Sequence, residues 1–203
     1  MTTLPVNIPE YFKTFRSTIK ETSLPDDKKV FIDSEIEAID FDKVKNDINK
    51  NLKSNDALII NQNNKWIFIE FKSGFIRDDV ERECMIKIYD TILLSIDIAF
   101  NNSIEYIKEN PLQFFKQNCD YYLVYGSKNE PFNESYMTTG TRKYLNNIGY
   151  FEKNKSKKAI AHRLAQKAND NYILFGLHKF KGYLFKNVYT IDEDAFKKKF
   201  HIE

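Results

Sequence analysis

The sequence predicts a mixed α/β fold, a β-sheet flanked by helices, and three observations carry that prediction. Residues 56–60 and Trp66–Lys72 are apolar runs of strand length, each followed by turn residues. Apolar residues then recur at helical spacing from about 78 to 100. A third strand-like run, 121–125, ends at Gly126. Two neighbouring strands, a long helix and a third strand, in that order, describe a layered α/β domain.

The chain before these strands is predicted to be mainly helical. Residues 9–21 place large apolar side chains on one side of a helix that begins near Pro9. Ser34 has the character of a helix N-cap, and Glu37 stands three residues later, which is the spacing of a capping box. A second helix is therefore expected over about 34–53. A short strand over 30–36 is the alternative.

The chain after the long helix is predicted to alternate between helix and strand. A helix over 103–118 should break at Pro111, and strands are expected over 172–176 and 183–189 before a short helix at the C-terminus. Residues 133–169 are expected to be helical or irregular. No Gly/Pro/Ser-rich linker divides the chain, so we expect one domain over 1–203. Its core would span about 34–125, with a C-terminal α/β extension over 126–203.

Composition narrows the class of protein. The 203 residues carry a net charge of only +2, which excludes a uniformly basic coat for nucleic acid. The two cysteines, Cys84 and Cys119, lack metal-binding or redox spacing, and the N-terminus lacks the pattern of a secretory signal. No apolar stretch is long enough to span a bilayer. These features predict a cytoplasmic protein that does not interact with a membrane.

The residues with the clearest chemical meaning lie in the second predicted strand. Because strand side chains alternate, Phe68, Glu70 and Lys72 share one face. A carboxylate and an ammonium in so apolar a strand are costly unless each has a partner. Ser73 and Gly74 end the strand directly afterwards, so both charges are expected at the rim of the sheet beside solvent.

Asp56, followed 14 positions later by Glu70-Phe71-Lys72 at the end of an apolar strand, resembles the signature of the PD-(D/E)XK nuclease superfamily. The resemblance covers about 34–125 and implies a restriction-endonuclease-like mixed β-sheet flanked by helices. It implies that Asp56 and Glu70 hold Mg²⁺ or Mn²⁺. Lys72 would then orient the water that hydrolyses a phosphodiester bond, in DNA more than in RNA. Asn55 stands where the name-giving motif has proline.

Two further residues are candidates for the same site. Members of the superfamily often add an acidic residue from the helix before these strands, and Glu37 lies within the apolar stripe of the expected helix. Its alternative role is to close the capping box with Ser34. Related nucleases also carry a polar residue in the helix that follows, where Lys87 is the candidate. An ordinary i,i+4 pair between Glu83 and Lys87 on a solvated face is the alternative.

The basic residues within 153–163 could contact a nucleic-acid backbone, although such runs are commonly only solvated. A homodimer is possible, since many such nucleases act in pairs. The alternative function is a catalytically inactive binding protein with a nuclease fold, immunity- or antitoxin-like, with a protein partner. A closed Glu70–Lys72 ion pair would favour it. An enzyme requires the Asp56 and Glu70 carboxylates to converge to roughly 4–6 Å, with Lys72 open to solvent.

Overall fold

The computed structural model describes residues 8–24, 30–73, 80–126, 173 and 175–202. Within these ranges the chain folds into a six-stranded mixed sheet flanked by helices. The strands are β1 (Arg16–Thr18), β2 (Glu37–Asp40), β3 (Ala57–Ile60), β4 (Trp66–Lys72), β5 (Cys119–Tyr125) and β6 (Asn187–Asp192). The helices are α1 (Glu10–Lys13), α2 (Ile19–Thr22), α3 (Phe41–Asn49), α4 (Val80–Asn101), α5 (Glu105–Lys108), α6 (Pro111–Asn118) and α7 (Glu193–Phe200), with a 3₁₀ turn at Leu177–Phe180.

The strands lie in the sheet in the order in which they occur in the chain. β1 to β4 pair antiparallel with one another, whereas β4, β5 and β6 are parallel. Two neighbouring parallel strands need a crossover connection, which returns the chain to the end of the sheet where the first strand began. α4, α5 and α6 provide that crossover between β4 and β5. The mixed α/β fold with a sheet flanked by helices is thus confirmed at this level.

A separate apolar layer packs against each face of the sheet. On one face Trp66 and Phe68 of β4 pack among aromatic rings, and Phe68 meets the ring of Phe41 edge to face at 5.7 Å. On the other face Ile69 packs with residues such as Phe196 of α7. Burying a side chain of this size stabilises the fold by about 1.5–3 kcal/mol. Most aromatic side chains of the described residues therefore lie in these two apolar layers or pack against them.

The single helix predicted over 9–21 is wrong. The chain forms α1, then β1, then α2, and Thr18 begins α2 with a capping box in which Glu21 is the partner. Phe12 packs in one apolar layer and Ile19 in the other. The apolar residues therefore serve opposite faces of the sheet, with β1 between them, although their spacing matches one helical face.

The helix predicted over 34–53 begins later, and its predicted cap is wrong. Asp40 is the N-cap of α3, and its Oδ1 accepts a hydrogen bond from the backbone N–H of Lys43 at 3.0 Å. Glu37 lies in β2, and the Ser34 hydroxyl accepts instead from the N–H of Ile36 at 3.3 Å. The side-chain oxygen of Asp40 satisfies an N–H at the start of the helix, which is the role that the prediction assigned to Ser34.

Most later elements match the prediction. α4 and β4 agree closely with it, and Pro111 opens α6, where its missing N–H costs nothing. The strand expected over 183–189 is displaced to β6, which pairs with β5 and so joins part of the predicted C-terminal extension to the main sheet. The basic run at 153–163 lies outside the described residues. None of the helices in the described ranges combines the length and the apolar character needed to cross a membrane.

Candidate functional site

The site is built where β3 begins beside the end of β4. The antiparallel register pairs Ala57 with Ile69, which brings Asp56 next to Glu70. The N–H of Asp56 donates to the carbonyl of Ile69 at 3.0 Å and holds this end of the ladder. Glu70 shares a strand face with Phe68, and α4 covers that face. The two acidic side chains therefore meet beneath the first half of α4.

Lys87 of α4 joins the two carboxylates. Its Nζ donates to both Glu70 oxygens, at 2.7 and 2.9 Å, and to Asp56 Oδ1 at 3.2 Å. Because both oxygens contact the same Nζ, Asp56 Oδ1 and Glu70 Oε1 can be no farther apart than the sum of their distances to it, 3.2 and 2.7 Å. Asp56 Oδ2 accepts the N–H of Phe71 at 2.6 Å, which orients the carboxylate. Glu70 is completely buried.

Lys72 forms the outer edge of the site. Its Nζ lies 3.1 Å from Glu70 Oε1 and 2.7 Å from Glu83 Oε1. The Lys72 side chain is 20% exposed and that of Glu83 is 46% exposed, so Lys72 borders solvent. The i,i+4 alternative for Glu83 and Lys87 is not observed, because each pairs with a different residue. We call Asp56, Glu70, Lys72, Glu83 and Lys87 the carboxylate–lysine cluster.

Burial and neighbouring charge shift the protonation equilibria of the cluster. Burial, and then the Asp56 carboxylate, raise the pKa of Glu70 to about 8. Burial also raises the pKa of Asp56. Burial would lower the pKa of Lys87, but the carboxylates of Glu70 and Asp56 outweigh it and leave that pKa raised. The cluster thus contains two acids that resist ionisation and a lysine that stays charged.

The cluster offers oxygen donors of the kind that hard divalent cations prefer. Within the described ranges, no three or more His, Cys, Asp or Glu side chains converge as a metal site. A cation here would therefore have Asp56 and Glu70 as protein ligands and would keep several waters, as Mg²⁺ commonly does. The two carboxylates fit such an ion by donor type and proximity, provided that Lys87 Nζ leaves the space between them.

Glu37 is not brought to the cluster. β2 pairs Asp40 with Ala57, so Glu37 lies at the opposite end of the strand from Asp56, roughly 13 Å away along the sheet. The predicted helical position of Glu37 is wrong, because Glu37 lies in β2, where its side chain follows a different course. The neighbouring acidic residue Glu35 lies 3.9 Å from Lys20 in an exposed pair.

Two supporting residues were not found from the sequence. The Thr91 hydroxyl accepts the backbone N–H of Asn55 at 3.0 Å, and the Ser54 hydroxyl donates to Asp42 at 2.7 Å. Both hold the segment that leads into Asp56. A proline at position 55 would lack the N–H that bonds to Thr91. Thr91 follows Lys87 by four residues on the same side of α4, and this spacing was the available signal.

We expect Thr91→Val to lower the free energy of unfolding by about 1–3 kcal/mol, because the buried N–H of Asn55 loses its acceptor. Urea denaturation measures this change. Ser95→Ala is the matched control, since that buried hydroxyl donates to the carbonyl of Thr91 within the same helix. An effect of Thr91→Val no larger than that of the control would contradict the supporting role.

Comparison of the chain with protein-family models, with curated proteins and with solved structures finds no match. The fold and site define a mixed α/β protein in which Lys87 bridges the buried Glu70 carboxylate and the largely buried Asp56 carboxylate, and Lys72 pairs with Glu70. Any assignment of function therefore depends on these residues and their geometry.

Proposed function

We propose that this chain is a divalent-metal-dependent nuclease of the restriction-endonuclease-like class, which hydrolyses phosphodiester bonds in DNA or RNA. One observation carries the proposal: Asp56, Glu70 and Lys72 adjoin one another at the rim of the sheet. The antiparallel pairing of β3 with β4 and the parallel pairing of β4 with β5 agree with a mixed sheet of that class.

Each residue of the cluster has a role in this proposal. Asp56 and Glu70 would hold Mg²⁺ or Mn²⁺. Such an ion, when bound, polarises a phosphate oxygen and lowers the pKa of a coordinated water. Lys72, at the accessible edge, would orient the attacking water and offset negative charge that develops on the phosphate. Glu83 holds the Lys72 ammonium in place at 2.7 Å.

A binding protein without turnover is the second candidate, and a specific contact favours it. Lys87 Nζ already lies between the two carboxylates, and Glu70 also pairs with Lys72 at 3.1 Å. These ion pairs neutralise the buried acids without a metal. In such a protein the cluster would serve stability alone, and the chain would act through a surface that binds another protein.

The test is cleavage of a mixed panel of DNA and RNA by the wild-type chain with Mg²⁺ or Mn²⁺, and with EDTA as the blank. DNA is the first substrate to try. We expect Lys72→Ala to reduce the rate by about 10²-fold or more, because it removes a charge that stabilises the transition state. Lys108→Ala is the control, since that lysine makes an exposed pair with Glu105 on α5.

Cleavage that EDTA abolishes and that Lys72→Ala reduces would support the nuclease. The outcome that contradicts it is a well-folded wild-type chain that cuts none of these substrates and shows no calorimetric Mn²⁺ binding dependent on Asp56 and Glu70. That result would favour the binding protein and direct attention to partners.

A further inference from the structure

The outward face of α4 carries an apolar stripe. Core-facing residues such as Cys84 and Ile88 are buried, yet large apolar side chains on the other side of the helix are at least 43% exposed. One of them, Tyr89, also contacts the Phe180 ring edge to face at 5.8 Å. A surface helix normally has polar residues on that side, and a helix that is apolar all round is normally buried. The stripe therefore suggests that α4 is covered in the assembled protein. We call it the outer stripe; its exposed members are Ile86, Tyr89, Leu93 and Phe100.

The spacing of the outer stripe indicates that another helix covers it. Ile86, Leu93 and Phe100 recur every seven residues, and Tyr89 and the half-buried Ile96 form a second series three residues after the first. This is the a/d pattern with which two helices pack along a shared seam. A flat sheet or a small ligand would not require a seven-residue repeat.

The charges on the outer stripe specify a second copy of the same chain. Arg82 and Asp97 lie near opposite ends of the stripe, and together with its four exposed members they fall within an arc of about 80° at 100° per residue. In an antiparallel pair related by a two-fold axis near Tyr89, Arg82 of one copy faces Asp97 of the other. The same register places Ile86 against Leu93. Every contact then occurs twice, as a two-fold interface requires.

We propose that two copies of this chain associate through antiparallel pairing of their outer stripes. In this arrangement the apolar residues of one stripe face those of the other, and two Arg82–Asp97 pairs flank this apolar centre. This inference does not depend on the nuclease function, because none of the stripe residues belongs to the carboxylate–lysine cluster. A cleavage assay could fail and leave the dimer intact, or the reverse.

The first test is the oligomeric state of the full chain, measured by sedimentation equilibrium at several concentrations. We expect a wild-type dimer, and we expect Leu93→Glu to raise its dissociation constant by at least about a hundredfold, because the charge enters the centre of the seam twice. Leu112→Glu is the matched control, since Leu112 on α6 is 61% exposed and Leu93 is 60% exposed. Circular dichroism and the melting temperature verify that both variants fold.

The second test examines the charge pairs at the ends of the interface and the direction in which the two helices run. Arg82→Asp should weaken the dimer by about tenfold, and the double variant Arg82→Asp/Asp97→Arg should restore it. A short bismaleimide should link two copies of Tyr89→Cys but not two copies of Phe100→Cys, which an antiparallel pair holds far apart. The native cysteines, Cys84 and Cys119, are buried.

A wild-type chain that stays monomeric at all concentrations would overturn the proposal and leave the chain's own remaining residues as the cover of the stripe. So would a dimer that Leu112→Glu disrupts and Leu93→Glu does not. Failure of the double charge variant to recover association, together with equal crosslinking at positions 89 and 100, would exclude the antiparallel arrangement.

Discussion

Lys87→Met should lower the free energy of unfolding by about 3–5 kcal/mol near neutral pH. Methionine keeps most of the length and the apolar stem of lysine but removes the ammonium that donates to both Glu70 oxygens and to Asp56. The Glu70 and Asp56 carboxyl groups would then lose their main cation and would have to bind protons to stay in this site. Urea denaturation at several pH values measures the loss. It should grow as pH rises, because more of the carboxyl groups must ionise without compensation.

Lys108→Met is the control for this prediction, since it breaks an exposed pair with Glu105 and should change stability by less than about 1 kcal/mol. Mn²⁺ separates the two candidate functions. If Asp56 and Glu70 can hold the ion, Mn²⁺ should restore part of the stability lost in Lys87→Met, because a ligand that binds only the folded state stabilises it. A variant as stable as the control would show that Lys87 does not compensate the buried acids.

If the chain is the proposed nuclease, Glu70→Gln should reduce metal-dependent cleavage by at least about 10²-fold, and it should stabilise the metal-free protein at alkaline pH. Activity falls because an amide is a weak ligand for Mg²⁺ or Mn²⁺. Stability changes in the opposite direction because the pKa of Glu70 in the folded protein, about 8, lies above its ordinary value of 4.5. The protonated form is therefore the one that favours folding.

The sign of the pH dependence follows from that shift. Stability due to protonated Glu70 is fully present below pH 4.5 and is lost as pH rises through about 8. Glutamine is neutral at every pH, so the advantage of Glu70→Gln should grow over this interval and reach about 2 kcal/mol or more at pH 9. Unfolding curves of both proteins with EDTA from pH 4 to 9 measure this difference.

Glu105→Gln is the matched control, because Glu105 is exposed and pairs only with Lys108 among the contacts described. It should alter neither cleavage nor the pH dependence of unfolding. If Glu70→Gln destabilises the metal-free protein at pH 9, the ionised carboxylate is a net stabilising partner of Lys87 and Lys72. Undiminished cleavage by Glu70→Gln would remove Glu70 from the catalytic site.

The elements that were predicted well are those with strong local patterns. β4 is a seven-residue apolar run with a clear end, and α4 has about six turns of regular apolar spacing. The N-terminal third was predicted poorly because α1, β1 and α2 are each only three or four residues long. Elements this short are stabilised by the layers on which they pack, and no single periodicity extends through them.

The candidate site divides in the same way. The linear pattern placed Asp56, Glu70 and Lys72 at strand ends, because alternation in β4 and the turn before it are local properties. It did not exclude Glu37, whose position depends on the pairing of β2 with β3. It named Lys87 but did not show which way Lys87 points.

The amino-acid pattern was sufficient to define the mixed α/β class, the central strands, the long helix and three charged residues of the cluster. Tertiary structure decided that Lys87, rather than Glu37, completes the cluster, and that Glu83 pairs with Lys72. The physical reason is burial. Ion pairs inside a protein are set by which side chains a neighbouring element brings to the buried charge, and that choice depends on contacts between residues far apart in the chain.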